Sequence, residues 1–179
     1  MSGQMEVILS GVGGQGLIVC GTLMGEAVAL YDHHNATMAS EYGVETRGTF
    51  TKSDLIISDE EIFYPEAIHP NVILTLAPVA YERYIDTLES DTLLIYNSNE
   101  VKDVREGVKN QIGYPISEMA KQAGHPATAN IISLGIVAGK IHIISREAAH
   151  KAIRNFFARK SEKVVQMNLK AFDMGYQMS

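Results

Sequence analysis

The sequence predicts one α/β domain, a Rossmann-like layer of mainly parallel strands covered by helices, over residues 1–179. Three observations predict it. Short apolar runs recur along the chain and alternate with stretches of helical periodicity, as in a parallel sheet. The first run ends in a glycine-rich turn that opens a helix. The composition is that of an ordinary globular protein, 46% hydrophobic and 20% charged, and no repeat, low-complexity tract or linker divides the chain.

Met5 to Leu9 (MEVIL) is a short apolar run bounded by glycines, the pattern of a buried strand. Gln15 to Ala29 reads as a helix, with Leu17, Gly21, Met24 and Val28 on one face. Gly21 and Gly25 lower helix propensity, so close packing against a sheet is expected there. Thr46 to Ser58 is rich in β-formers and reads as one or two strands, with Leu55, Ile56 and Ile57 as their apolar centre. Val72 to Leu76 and Thr92 to Tyr96 are two more strands. Between them Pro78 to Leu88 is a helix with proline in its first turn. Ile116 to Ala123 is helical and stops at Gly124. Thr128 to Ala138 is apolar all round, hence a buried helix. Ser145 caps a helix with an Ala149, Ile153 and Phe156 stripe. Val165, Leu169, Phe172 and Tyr176 mark the last helix, expected to stop near Gly175.

Several function classes fall away on composition. A formal net charge of -6 argues against a general nucleic-acid binder. One cysteine, Cys20, makes no internal disulfide, and an iron–sulfur cluster needs about four thiolates. Cys20 reads as a packed side chain in the first helix. His33, His34, His69, His125, His142 and His150 show no metal-site spacing and read as surface or loop residues. Met1 to Glu6 has no basic segment leading into an apolar run, so no signal peptide is expected. No apolar stretch approaches ~20 residues, so the expected location is the cytoplasm. Arg154, Arg159, Lys160 and Lys163 read as a solvated helix face.

Two segments carry chemistry. The first, Gly11-Val12-Gly13-Gly14-Gln15-Gly16, joins the first strand to the first helix. Its glycines reach backbone angles closed to other residues and allow close approach of a ligand. The helix beyond offers free N–H groups and the positive end of its dipole, a cradle for phosphate. A bare tight turn is the plainer reading of the same glycines. A dinucleotide further requires an acid at the end of the second strand, about 20 residues on. Asp32 stands near that distance, but Tyr31, His33, His34 and Asn35 do not read as a strand end.

The second segment, Glu41-Tyr42-Gly43-Val44-Glu45-Thr46-Arg47-Gly48, reads as a loop ahead of a buried strand. Such loops carry function when a rigid scaffold positions them. A solvated turn with a Glu45–Arg47 contact is the plainer alternative.

Taken together, the chain resembles the gamma subunit, or gamma domain, of 2-oxoacid:ferredoxin oxidoreductases of the pyruvate, 2-oxoglutarate and 2-oxoisovalerate type. The resemblance rests on G-x-G-G-Q-G at Gly11 to Gly16 and Y-G-x-E-x-R-G at Tyr42, Gly43, Glu45, Arg47 and Gly48. It extends through Ser58-Asp59-Glu60, Asn130 to Gly135, and Asn168 to Phe172. Glu41, Val44 and Thr49 depart from the serine, proline and glycine usual in the family.

The resemblance implies a subunit of an enzyme that oxidatively decarboxylates a 2-oxoacid, forms acyl-coenzyme A and reduces ferredoxin. It implies that thiamine diphosphate and iron–sulfur clusters sit on partner subunits. Those partners are the alpha and beta (thiamine diphosphate) subunits and a ferredoxin-like delta subunit, with the isolated chain able to self-associate. It implies coenzyme A contact by Gly11, Gly13, Gly14, Gln15, Gly16 and Arg47, whose guanidinium suits phosphate or a partner carboxylate. Interface roles follow for Glu41, Tyr42, Gly43, Glu45, Gly48 and Asn130. The competing readings are a free-standing NAD(P)-binding Rossmann-type protein using the Gly11–Gly16 turn, and a scaffold without ligand. For the oxoacid, 2-oxoglutarate leads, with pyruvate and branched-chain oxoacids behind.

Overall fold

The computed structural model describes residues 3–42 and 49–179, with the side chain of Tyr42 outside the description. Six strands form one sheet: β1 (Met5–Val12), β2 (Asn35–Tyr42), β3 (Phe50–Ser58), β4 (Val72–Thr75), β5 (Leu93–Asn97) and β6 (Gln111–Tyr114). Their order across the sheet is β2-β3-β1-β4-β5-β6. β1, β4, β5 and β6 pair in parallel, while β3 is antiparallel to both β1 and β2. β3 is therefore the one strand of the six that runs against the rest. The mainly parallel sheet expected from the sequence is present, with an antiparallel strand inserted beside β1.

Six α-helices cover the sheet: α1 (Leu17–Glu26), α2 (Pro78–Ile85), α3 (Ile116–Ala123), α4 (Ala129–Ile141), α5 (Arg146–Phe156) and α6 (Glu162–Met178). One sheet face presents Val7, Leu9, Leu55, Ile57, Val72, Leu74 and Ile95 to the core shared with α1, α3, α4, α5 and α6. On the other face α2 sets Tyr81 and Ile85 against Leu94 and Val101. The segment after β3 crosses the rest of that face. There the N–H groups of Ile68 and His69 both donate to Glu6 Oε2 at 2.7 Å. Among the described residues no helix is long and apolar enough to cross a membrane.

Several boundaries differ from the sequence expectation. The first helix leaves α geometry after Glu26 and closes as a single π-turn over Ala27–Tyr31. Thr128 belongs to a short 3-10 turn ahead of α4. Glu41 and Tyr42, read as loop, end strand β2. β2 and β6 themselves carry too little apolar alternation to stand out in the sequence. Phe156, placed on the buried stripe of α5, is 42% exposed. His150 lies within α5 and its Nε2 is 2.8 Å from Asp173 Oδ1, rather than on a loop.

Gly175 does not end α6, which continues to Met178. Its role is close approach. A Cβ there would overlap the Ile132 carbonyl, and one on Gly135 would overlap the Phe172 carbonyl. α4 and α6 thus meet backbone to backbone, which buries α4 on every side. Gly25 differs: an added Cβ would meet only Leu55 Cδ1, at 3.7 Å. Gly175→Ala should therefore lower unfolding free energy by about 1–3 kcal/mol through overpacking. Gly25→Ala should raise it by roughly 0.5–1 kcal/mol through helix propensity. Urea midpoints at constant m would check both signs.

Asp173 ties α6 to α5. Arg146 donates to both its carboxylate oxygens, through Nε and Nη2 at 2.7 Å each. Partial burial pulls the Asp173 pKa up, but Arg146 and His150 outweigh it and hold the carboxyl below its ordinary value. A depressed folded-state pKa contributes stability above the unfolded value, and the contribution disappears as pH falls through the folded one. Asp173→Asn should therefore cost stability at neutral pH and flatten its fall below about pH 4, as read by thermal unfolding at stepped pH.

Candidate functional site

The glycine turn sits at the carboxyl end of β1, where side chains are traded for backbone reach. Gly14 and Gly16 hold φ of 97° and 74°, in the left-handed region. Gly16 is the N-cap of α1 and supplies no side-chain cap to the first N–H groups of the helix. No side chain fits at Gly16 in any case: an added Cβ would stand 2.6 Å from Asn130 Nδ2.

Five hydrogen bonds hold this turn in place. Gly13 N donates to Thr49 O at 3.1 Å, and Gln15 N donates to Val12 O at 3.2 Å. The Gln15 side chain folds back over Gly11. Its Oε1 accepts from Val12 N at 2.8 Å and its Nε2 donates to Leu76 O at 3.2 Å. One amide therefore spans the ends of the adjacent parallel strands β1 and β4. Asn130, in the first turn of α4, donates from Nδ2 to Gly16 O at 3.2 Å. It is 7% exposed, and its Oδ1 has no hydrogen-bond partner among the described residues.

The second motif reaches the same edge. β2 runs in the direction of β1, and the register sets Gly11 opposite Thr51 and Thr51 opposite Tyr42. Tyr42 and Gly11 are thus in one row across three strands, about 10 Å apart at the usual strand spacing. The next row joins Glu41, Lys52 and Ser10. Lys52 Nζ lies 3.8 Å from Glu41 Oε2 and 2.9 Å from Asp54 Oδ2. Arg83 of α2 stacks over Phe50 at 4.3 Å, and the Phe50 ring also meets Tyr84. Burial, with Asp54 adding to it and Arg83 opposing, pushes the Tyr84 hydroxyl up to about 12. Gly43, Glu45, Arg47 and Gly48 lie outside the described residues.

The structure therefore brings together Gly11, Gly13, Gly14, Gln15, Gly16, Glu41, Tyr42 and Asn130. Asn130 is not at the surface; it is buried against Gly16 across 114 positions of sequence. Lys52 and Asp54 escaped the sequence reading. Their signal, two opposite charges alternating on a strand otherwise apolar at its centre, is weak in isolation.

Asp32 does not occupy a ribose position. Its carboxylate accepts from Ser145 N at 2.8 Å and Ser145 Oγ at 2.7 Å, ahead of α5. The strand after α1 is also not the neighbour of β1, because β3 lies between them. Cys20 is buried, and desolvation pushes its thiol up to about 12, far from a nucleophile's range. Among the described residues no three His, Cys, Asp or Glu side chains group as a metal site.

Comparison with known proteins follows the same outline. The family model described as pyruvate ferredoxin/flavodoxin oxidoreductase matches residues 6–178. A 2-oxoglutarate synthase subunit KorC from Methanocaldococcus jannaschii is 34% identical over 177 residues, 97% of this chain and 93% of that one. The solved gamma subunit of a keto/oxoacid ferredoxin oxidoreductase from Geobacter sulfurreducens is also 34% identical. It superposes with a TM-score of 0.85, covering 98% of this chain and 96% of that one. A 2-oxoglutarate:ferredoxin oxidoreductase from Magnetococcus marinus, solved with 2-oxoglutarate, coenzyme A and succinyl-CoA bound, has a TM-score of 0.88. At 22% identity, with 99% of this chain matching 31% of that one, it is a likeness of fold.

Gln15→Ala should leave Val12 N–H and Leu76 C=O without their side-chain partner and lower stability by about 1–3 kcal/mol. Gln15→Glu should not rescue it, since a carboxylate cannot donate to Leu76 O. Denaturant unfolding of the two variants, compared at equal m, checks this.

Proposed function

The chain belongs to the pyruvate ferredoxin/flavodoxin oxidoreductase family, and from that premise we propose that it works at the carboxyl edge of its sheet. It is a gamma subunit of the 2-oxoacid:ferredoxin oxidoreductase type. On this reading the edge is a docking surface that closes over the acyl-transfer site of partner subunits. Those partners are the alpha and beta subunits carrying thiamine diphosphate and a ferredoxin-like delta subunit bearing iron–sulfur clusters. The 2-oxoacid is 2-oxoglutarate, the substrate class named for the KorC relatives.

The observation that carries the reading is the shared row of Gly11, Thr51 and Tyr42. It sets the start of the second motif beside the glycine turn, so the two act on one ligand or one partner surface. The uncapped N–H groups at the start of α1 receive the diphosphate of coenzyme A, where the helix dipole favours an anion. Arg47, five positions beyond Tyr42, adds a bidentate charge-assisted contact that a lysine cannot reproduce. The chain supplies position and charge. The carbanion and electron-transfer chemistry stays with thiamine diphosphate and the clusters. A dinucleotide role finds no support in the place of Asp32 or of β2.

The test is steady-state kinetics of the assembled enzyme carrying Arg47→Ala or Arg47→Lys. Loss of a charged hydrogen-bond pair is worth about 1.5–3 kcal/mol, so the KM for coenzyme A should rise roughly 10- to 150-fold. The KM for 2-oxoglutarate should barely move. An unchanged coenzyme A KM with intact assembly removes Arg47 from the ligand site. Tight NAD(H) binding by the chain alone would replace this function with the dinucleotide one.

A further inference from the structure

Among the described residues strand β2 forms an outer edge of the sheet, hydrogen-bonded on one side to β3. All eight of its residues, Asn35 to Tyr42, pair with β3 in continuous register and without a bulge. Sheet edges are guarded by short strands, bulges, prolines, lysines or inward charges, because a row of free N–H and C=O groups recruits other chains. The opposite edge, β6, is guarded by its length of four residues. β2 has no proline, no lysine and one charge, Glu41, near its end. Within it Met38, packed on one side against Gly21 of α1, is still 36% exposed, and Leu30 in the adjoining π-turn is 58% exposed.

The strand is also held ready. Asn35 Nδ2 donates to Glu60 O at 2.9 Å, and the Ser40 and Ser53 hydroxyls are 3.0 Å apart. A preformed edge loses little freedom on pairing. Its chemistry admits one kind of occupant, an extended backbone.

We propose that the occupant is β2 of a second copy of this chain, antiparallel across a two-fold axis near Met38. Such an interface is isologous, so one self-complementary strand satisfies both copies. Opposed residues of an antiparallel pair share a face. The two Met38 side chains then cover one another at the axis. Glu41 of each copy falls opposite Asn35 of the other, so no like charges meet. About eight backbone hydrogen bonds close the join and make one continuous sheet from both copies. This pairing needs neither coenzyme A nor an oxoacid, so its failure leaves the gamma-subunit reading untouched.

The test uses the full chain alone. Light scattering over about a hundredfold range of concentration should show a dimer that dissociates on dilution. Amides of β2 should exchange roughly tenfold more slowly in the dimer than in the diluted monomer, with β6 amides unchanged. Met38→Cys should cross-link between copies under mild oxidation, while Lys109→Cys, just before β6, should not. Native Cys20 is buried and silent in this assay. A monomer at every concentration, or β2 exchange indifferent to concentration, overturns the proposal. So does protection of β2 that arises only when thiamine-diphosphate subunits are added, which would give the edge to a different polypeptide.

Discussion

The carboxyl edge of the sheet depends on one side-chain amide. A turn built from glycines gains reach and loses rigidity, because glycine surrenders more backbone freedom on folding than any other residue. Gln15 compensates by bonding Val12 N and Leu76 O, which fixes the turn against two strands instead of one. Both ends of the amide are engaged, so the side chain positions the turn. Gly11 is glycine for the same reason: a Cβ there would overlap Gln15 Oε1.

Behind the turn stands α4. Eleven of its residues, among them Ile131, Ile132, Leu134, Ile136 and Val137, are buried. Each large apolar side chain contributes roughly 1.5–3 kcal/mol by leaving water. That burial requires α6 to approach through Gly135 and Gly175. Asn130, in the first turn of α4, carries this rigidity to Gly16 through one hydrogen bond. The buried, unpartnered Asn130 Oδ1 is an exception to the rule that buried acceptors are satisfied. It lies against Gly16, beside the turn proposed above to receive an anion, the kind of place in which proteins tolerate such a cost.

The charges near the edge play a different part. Asp54 is buried on β3 and is neutralised by Lys52, which also faces Glu41 at the end of β2. With Arg83 and Tyr84 of α2 against Phe50, these groups clamp both strands that lead into the second motif.

Much of this was legible in the sequence. The glycine turn opened a helix as its spacing required, because the need for positive φ at Gly14 and Gly16 is local. α4 was legible as a buried helix because its residues are apolar on every side. β2 was not, since edge strands satisfy half their backbone with solvent or another chain and need no apolar alternation. Gly175 read as a helix stop because its real constraint, the Ile132 carbonyl, lies on another helix. The sequence by itself determined the local backbone chemistry: turns, caps and apolar periods. Only the tertiary structure decided which distant groups meet, Gln15 with Leu76 and Asn130 with Gly16, and that Tyr42 shares a row with Gly11. Strand order and helix contact are set by burying the whole core at once, and no single segment encodes that.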